Sequence, residues 1–502
     1  MKPHIKSFNP ITGELLGTVD NLDSTALDQL IVAAHNACAA WKNLSFKERA
    51  RYLLNLREEL ASHIDELALF VSQETGKPRF EALTAEVFPL IQLISWAVKR
   101  APKILKTKKI SISVLKYKKS YVHYEPMGVI GIITPWNYPL AIPLGEAVMA
   151  MVAGNCVIVK PSEVTPLIAK KVEEIFKKIG LPDGVFQVAT GDGETGAYLV
   201  QSPYIKKIFF TGSVATGKRI ACMAAELLKP CVLELGGCDP MIVCEDADIE
   251  RAANGAVWGS FMNAGQTCAS VERVYVHHKV ADSFIDHVIQ KTQKLRVGQD
   301  KNFDVDVGAV TFKKQFGVYK QQLTDALNKN AKILVGDMPR DEVFAKPTVL
   351  VGTNDDMTLI QEETFGPYLP IEVVYDDEEA IKKANHNQYG LCASVWTKNM
   401  KKALALASSI EAGTVTINDC SFTHALPETP WGGVKNSGLG RVHGDHSFYE
   451  FVNMKHVNCD RGWIKPLWWY PYTQFKYNLF KKLAVFLGRK SIFEKIKSFY
   501  SK

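Results

Sequence analysis

The chain has 502 residues, 47% of them hydrophobic and 23% charged, an ordinary globular balance with length for two or three domains. The formal net charge is +7, but residues 461–502 carry ten Lys/Arg against one Asp/Glu, so the first 460 residues sum to about −2 and a nucleic-acid-binding role loses its support. The ten cysteines include no C-x2-C pair of zinc-site spacing. No metal site is expected, and the thiols read as free in a reducing compartment.

In chain order, residues 8–20 read as strand, turn and strand, with Asn9-Pro10 and Thr12-Gly13 as turn residues. No apolar segment follows Met1-Lys2-Pro3-His4-Ile5-Lys6, so a cytoplasmic location is expected rather than secretion. Ser24 is expected to cap a helix running to about Trp41. Ser45-Phe46-Lys47-Glu48 has the form of a capping box opening a helix to about Thr75, which Gly76-Lys77-Pro78 stops. A third helix is expected over about Phe80–Arg100. The segment Lys103–Tyr124 alternates basic, apolar and aromatic residues, as a two-stranded ribbon does.

Met127–Val159 holds one charge, Glu146, in 33 residues and would pass a hydropathy test for a membrane span. Its glycines and prolines (Gly128, Gly131, Pro135, Pro139, Pro143, Gly145, Gly154) instead divide it into a buried strand at 129–134, a helix at about 140–153 and a buried strand at 156–160. A helix at 166–179, a strand at 186–188, a helix after Gly196 and a strand at 207–210 continue the alternation. The fold class that follows is α/β, with a doubly wound parallel-sheet dinucleotide-binding domain. After Gly237 a second α/β region is expected. Its strands fall at 241–243, 273–276, 348–351, 371–374, 393–396 and 414–418, and its helices at 248–264, 280–295 and near 313–328, 378–385 and 400–410.

The most distinctive stretch is Phe261-Met262-Asn263-Ala264-Gly265-Gln266-Thr267-Cys268-Ala269, where a cysteine stands behind a Gly-Gln-Thr turn among small residues. A lone cysteine is most often an inert small hydrophobe. Glu234 changes that reading. It lies inside the apolar run Val232-Leu233-Glu234-Leu235-Gly236-Gly237, where burial should raise its pKa toward that of a working base. If the fold brings them together, a thiol nucleophile and a desolvated carboxylate suit acyl transfer.

Six ordered motifs carry a resemblance. They are Pro135-Trp136-Asn137-Tyr138-Pro139, Lys160-Pro161-Ser162-Glu163, Phe210-Thr211-Gly212-Ser213, Leu233 to Gly237, Gly265-Gln266-Thr267-Cys268, and Glu363-Thr364-Phe365-Gly366-Pro367. In this order the chain resembles the aldehyde dehydrogenase superfamily from about residue 8 to about 455. The resemblance implies NAD(P)-dependent oxidation of an aldehyde to the acid. Cys268 attacks the carbonyl to give a thiohemiacetal, Asn137 and the Cys268 N–H hold the oxyanion, and Glu234 activates the water that hydrolyses the thioester.

It also implies a cofactor site. Thr134, Pro135 and Trp136 line it, Lys160 and Glu163 hold the adenosine ribose, and Gly193 lies in the adenine-side loop. Gly212, Ser213 and Gly217 cradle the pyrophosphate, while Leu235, Glu363 and Phe365 hold the nicotinamide end. A carboxylate at position 163 accepts from a 2′-hydroxyl and repels a 2′-phosphate, so NAD is favoured over NADP. Tyr138, Thr267 and Trp431 fall in the substrate tunnel. No arginine stands in these motifs, which favours an apolar aldehyde over a semialdehyde; Cys238 and Ala425 depart from the usual pattern and leave the substrate open. A CoA-acylating relative is disfavoured by Glu234, and a membrane-associated scaffold with a vestigial site is the rival from another class.

The implied domains are 1–104 with 126–236 for the cofactor and 237–436 for catalysis. Residues 105–125 and 437–458 would form an oligomerisation ribbon and strand, giving a homodimer or homotetramer. Relatives usually end near 449–457, whereas here 459–502 adds Trp463, Trp468, Trp469, Tyr470, Tyr472, Phe475, Tyr477 and Phe480 among basic residues. No run in it reaches the roughly 18 apolar residues of a membrane span. The mix suits either an anionic membrane surface or a neighbouring subunit.

Overall fold

The structure, a computed structural model, describes residues 4–339 and 343–491. Two α/β sheets dominate it. In the first, six strands lie in the order Gly438–Leu439, Cys231–Glu234, Ile205–Thr211, Val129–Ile133, Cys156–Lys160, Phe186–Val188, all parallel except the two-residue edge strand. Val129–Ile133 and Cys156–Lys160 are buried at every position, and so is the whole helix Ala141–Val152 between them. An unbroken apolar sequence is therefore what the middle of this sheet requires, since helices cover both of its faces.

The chain builds this sheet outward from Val129–Ile133 in one direction, then returns to add Ile205–Thr211 on the other side. That reversal opens a crevice beyond the carboxyl ends of these two strands, where open α/β sheets hold ligands. Thr134-Pro135 and Gly212-Ser213 lie there. The next strand out, Cys231–Glu234, ends on Glu234.

The second sheet has seven strands in the order Lys332–Val335, Thr348–Val351, Tyr368–Val374, Val271–His277, Asp239–Val243, Cys392–Trp396, Thr414–Ile417, with only the first antiparallel. Val271–His277 starts three residues after Cys268 and Asp239–Val243 starts two residues after Gly237. Cys268 thus lies in the connection into one of these strands, and Glu234 ends the strand that leads into the other.

Several expected boundaries shift for local reasons. Asp23, not Ser24, caps the first helix by accepting from the Ala26 N–H. The Ser45–Glu48 capping box is present, but the helix it opens ends at Ser62, because His63 leaves helical geometry (φ −120°, ψ 26°) before Ile64–Thr75 begins. The helix expected after Gly196 starts at Gly193, since Asp192 accepts from the Glu194 N–H as its cap. The third helix extends over 79–104 and includes a π turn at Leu83–Val87. Gly438–Leu439, assigned to the oligomerisation strand from sequence, pairs instead with Leu233–Glu234. The strands Cys231–Glu234 and Lys332–Val335 were not expected at all.

A separate compact unit comprises 107–123 and 454 onward. Here Lys108–Ile110 pairs antiparallel with the strand Lys119–Pro126, as the alternating pattern predicts, and Val452–Cys459 joins the same sheet. Asn458 donates to the buried Ser120 hydroxyl at 2.7 Å. Beyond it lies a 15-residue helix, Gln474–Gly488, with no buried residue. The last part of the extension, 492–502, lies outside the described residues.

Candidate active site

The helix Ile249–Phe261, capped by Asp248, stops short of the Ala264 end expected from sequence. Asn263 and Ala264 adopt left-handed geometry (φ 53° and 55°), followed by Gly265 at φ 75°. Such backbone costs about 1–2 kcal/mol for each non-glycine residue and persists only where surroundings impose it. Here they do. The Glu81 carboxylate accepts from the Asn263 N–H, the Gln266 side-chain amide donates to Asn263 O at 2.8 Å, and Gln266 Oε1 accepts from the Thr311 N–H at 2.8 Å. A Cβ on Gly265 would stand 2.2 Å from the Gly366 backbone, so only glycine lets this loop cross the 363–367 segment. The crossing leaves Cys268 half-buried in the wall of a cavity.

Glu234 approaches from the first sheet. Gly237 permits the approach, because a Cβ there would lie 2.3 Å from the Cys268 carbonyl oxygen. Burial raises the Glu234 carboxyl to about 8, against a hydrogen bond from the Trp431 side chain that pulls it down. Burial also pushes the Cys268 thiol well above its usual range, with Glu234, Glu363 and Asp239 adding to the shift. Both groups therefore prefer to hold their protons at rest, and a base becomes available as the pH approaches 8.

Asn137 is buried, and its side-chain N–H donates to Gln266 O at 3.0 Å, which uses one of its two donors. Its main chain is held by residues that the motif reading overlooked. Lys77 donates to Asn137 O at 2.6 Å and to Glu86 at 2.7 Å, with both charged side chains fully buried. The other Glu86 oxygen accepts from the N–H groups of Leu140 and Ala141 at the start of a helix. A buried ion pair is costly to strand by losing either member, so Lys77 and Glu86 rigidly position Asn137.

Three cavities form a chain through this region. A groove of about 890 Å³ lies along the crevice of the first sheet, lined by Thr134, Pro135, Trp136, Lys160, Glu163, Gly193, Gly212 and Ser213 among others. It shares Pro135, Trp136, Thr211, Gly212 and Ser213 with a chamber of about 360 Å³ that reaches Asn137, Leu235, Glu363 and Phe365. That chamber shares Ile142, Thr211, Glu234 and Cys268 with a cavity of about 180 Å³ lined by Tyr138, Thr267 and Trp431. Cys268 and Glu234 thus stand on the wall common to the chamber and the inner cavity.

The groove fits a dinucleotide on its own terms. The Thr134 hydroxyl is buried without a partner, and nothing lies within 4 Å of a Cβ built on Gly193. Ser213 caps the 13-residue helix Val214–Glu226, whose N-terminus opens onto the groove and suits a pyrophosphate. Lys160 Nζ lies 3.1 Å from Glu163 Oε2 at the strand end. Gly217 is the exception among the expected contacts. It is absent from the groove wall, and a Cβ there would meet Leu235 Cδ2 at 2.4 Å, so its glycine serves helix packing.

Glu363 is turned inward, accepting from the Gly237 N–H at 3.2 Å, while its neighbour Glu362 is exposed. Burial, with Glu272 nearby, raises Glu363 to about 8. Phe365, at φ 52°, packs edge-on against Trp136 with ring centroids 5.5 Å apart, and Glu272 holds its loop by accepting from Thr364 and Phe365.

Among the described residues, no Lys or Arg lines the inner cavity. Its histidine, His424, is pushed down to about 4 by burial and is neutral near pH 7. Tyr138 and Thr267 share a hydrogen bond at 2.8 Å. Glu146, noted from sequence only as a lone charge, lines this cavity, and burial with Glu234 nearby raises it to about 8. Ala425 also lines the cavity, and Cys238 is buried beside Ile360 O.

Residues 1–457 match the aldehyde dehydrogenase family. A 4,4'-diapolycopene aldehyde oxidase of Methylomonas is 36% identical over 487 residues, covering 96% of this chain and 91% of that one. A betaine aldehyde dehydrogenase of Vibrio vulnificus is 34% identical over 462 residues, covering 91% and 94%. Among solved structures, the NAD+ complex of an aldehyde dehydrogenase from Bacillus cereus superposes with a TM-score of 0.88 at 33% identity, covering 91% of this chain and 94% of that one.

Proposed function

The chain belongs to the aldehyde dehydrogenase family, and from that premise we propose that it oxidises an apolar aldehyde to the carboxylic acid through a thioester on Cys268. The observation that carries this reading is the position of Cys268 and Glu234 on the wall shared by the cofactor-side chamber and the inner cavity. The electron acceptor is NAD or NADP. When bound, its nicotinamide supplies the hydride acceptor. Glu163 at the groove favours NAD, because a carboxylate there repels a 2′-phosphate.

The chain's own residues do the rest. Cys268 Sγ attacks the carbonyl carbon as its proton passes to Glu234 or to water, and the oxyanion receives the second Asn137 N–H and the Cys268 N–H. That proton leaves to solvent before deacylation, so Glu234 meets the thioester as a carboxylate. In deacylation Glu234 takes a proton from water as the water oxygen attacks the thioester carbon. The C–S bond breaks, and Cys268 leaves as the thiolate. In sum, aldehyde, water and oxidised cofactor become carboxylate, reduced cofactor and two protons. Asn137→Ala is expected to lower kcat by about 10²–10³ with little change in KM, because the amide acts on charge that develops only in the transition state. Steady-state kinetics check this.

A cavity wall without a cation, and with carboxyls held mostly neutral below about pH 8, favours an uncharged substrate over a semialdehyde carboxylate. The assay that tests the function follows reduced cofactor with aldehydes of increasing length, succinic semialdehyde and betaine aldehyde. Activity rising with apolar length supports the proposal, and activity confined to either charged substrate opposes it. We take the protein to be cytoplasmic and a homodimer or homotetramer, paired through the ribbon at 105–125 and the strand after 451, with 1–104 and 126–236 binding the cofactor and 237–436 carrying the nucleophile.

The extension favours a lipid partner. Trp463, Trp469, Tyr470, Tyr472, Phe475 and Tyr477 are exposed, as is the apolar surface of Gln474–Gly488, among Lys476, Lys481, Lys482, Arg489 and Lys490. Aromatic and basic residues together suit the interface of an anionic bilayer, and the 15-residue helix is too short to cross one. The full chain is expected to co-sediment with phosphatidylserine vesicles at low salt and a 1–458 truncation to stay in solution; equal pelleting would remove the membrane role.

A further inference from the structure

The inner cavity does not end at its mouth. Its volume of about 180 Å³ is below the roughly 300–1,000 Å³ of a usual small-molecule site. It shares Thr84, Ala85, Trp258 and Met262 with a further cavity of about 670 Å³, whose lining has no residue in common with the cofactor groove. The four residues form a wall that is easily passed. Thr84 and Ala85 are small and sit on the π turn Leu83–Val87, a distortion that often marks functional sites. Met262 is unbranched and adaptable, and Trp258 is 46% exposed.

Six apolar side chains form part of the wall of the outer cavity. Phe80, Val257, Phe261, Leu295, Phe303 and Val305 line it, and Phe80 and Phe303 are 65% and 64% exposed. Large aromatic side chains clustered in a concave surface favour an apolar occupant. Of the charged residues lining it, Arg296 pairs with Asp306, Asp300 with Arg79 behind it and Lys291 with Glu250, Glu81 accepts from the Asn263 N–H, and Lys294 stands outside these pairs. A hydrocarbon lying along the aromatic side chains would leave these pairs intact.

We propose that the outer cavity is a subsite for the remote half of a long, apolar aldehyde whose chain runs from Cys268 past Ala85 and Trp258. Continuity with the reactive cavity, through four shared residues, is what identifies the occupant as substrate. The subsite rests on the aldehyde-oxidising role of Cys268. It makes Trp258 and Met262 the gate between a reaction chamber that accepts any small aldehyde and an outer cavity that rewards length.

The test compares wild type, Val305→Trp and Phe80→Ala with propanal and dodecanal, using NAD. Val305→Trp fills the outer cavity and is expected to lower kcat/KM for dodecanal by about tenfold or more, with propanal changed by less than about twofold. Phe80→Ala removes an exposed side chain at little risk to folding and is expected to lower the dodecanal value by about three- to tenfold. Equal losses on both aldehydes, or losses on neither, would overturn the subsite. A lower oligomeric mass of Val305→Trp in light scattering, with activity lost on both, would assign the cavity to a second copy of the chain and overturn it as well. A wild type that oxidises no aldehyde at all would fail at the earlier step and remove the subsite with it.

Discussion

Cys268→Ser is expected to lower turnover of every aldehyde by about 10³-fold or more while leaving the fold and cofactor binding intact. The substitution exchanges one atom in a half-buried side chain, so packing changes little. The chemical change is large. A serine hydroxyl is a weaker nucleophile than a thiol and far harder to ionise, and this site already disfavours the anion through burial and three nearby carboxyls. The neighbouring base, whose carboxyl sits at about 8, cannot make up that difference. Assays with the purified variant give the rate, and quenching of tryptophan fluorescence by NAD reports cofactor binding. Retained turnover would assign the nucleophile elsewhere, and lost cofactor binding would mean a structural role for the sulfur.

Glu234→Gln separates the two halves of the reaction. Acylation needs the thiol proton removed once, with Glu234 or bulk water as acceptor, but hydrolysis of the thioester needs a base held against water inside the chamber. The variant is expected to show a burst of about one reduced cofactor per site, followed by a steady rate lower by about 10²–10⁴. The pH dependence follows from the raised carboxyl. A group that titrates at about 8 is protonated below that pH, so wild-type hydrolysis should rise about tenfold per pH unit up to about 8 and level off above it. Glu234→Gln should lose this limb. Glu146→Gln should keep it, because Glu146 shares the cavity and the raised carboxyl but stands outside the proposed chemistry. Loss of the limb in the Glu146 variant would make the two carboxyls a single titrating pair.

Much of this site was legible in the sequence because its signals are local. Strands buried on both faces have to read as apolar runs, so Val129–Ile133 and Cys156–Lys160 could be found despite passing for a membrane span. Glu234 stood out as a charge in such a run, and Cys268 as a cysteine behind a Gly-Gln-Thr turn among small residues. What could not be read depends on distant partners. Lys77 looked like part of a helix stop, yet its ammonium lies buried against Glu86 and Asn137, 60 residues away in sequence from the latter. Glu146 faces a cavity only because Ala141–Val152 packs with that side toward Glu234. The same limit hid the packing of Gly217 against Leu235 and misassigned residues 438–439, which pair with a strand about two hundred residues earlier. Capping residues one position apart, such as Asp23 and Ser24, are separated only by which side chain reaches the free N–H.

The most direct test of a covalent Cys268 intermediate is the intact mass of the Glu234→Gln variant, quenched in acid seconds after mixing with NAD and excess aldehyde. The expected result is a mass gain equal to the aldehyde less two hydrogens, located on the peptide that contains Cys268 and absent from the Cys268→Ser variant. Release of the acid at the wild-type rate with no adduct on that peptide would contradict the thioester route.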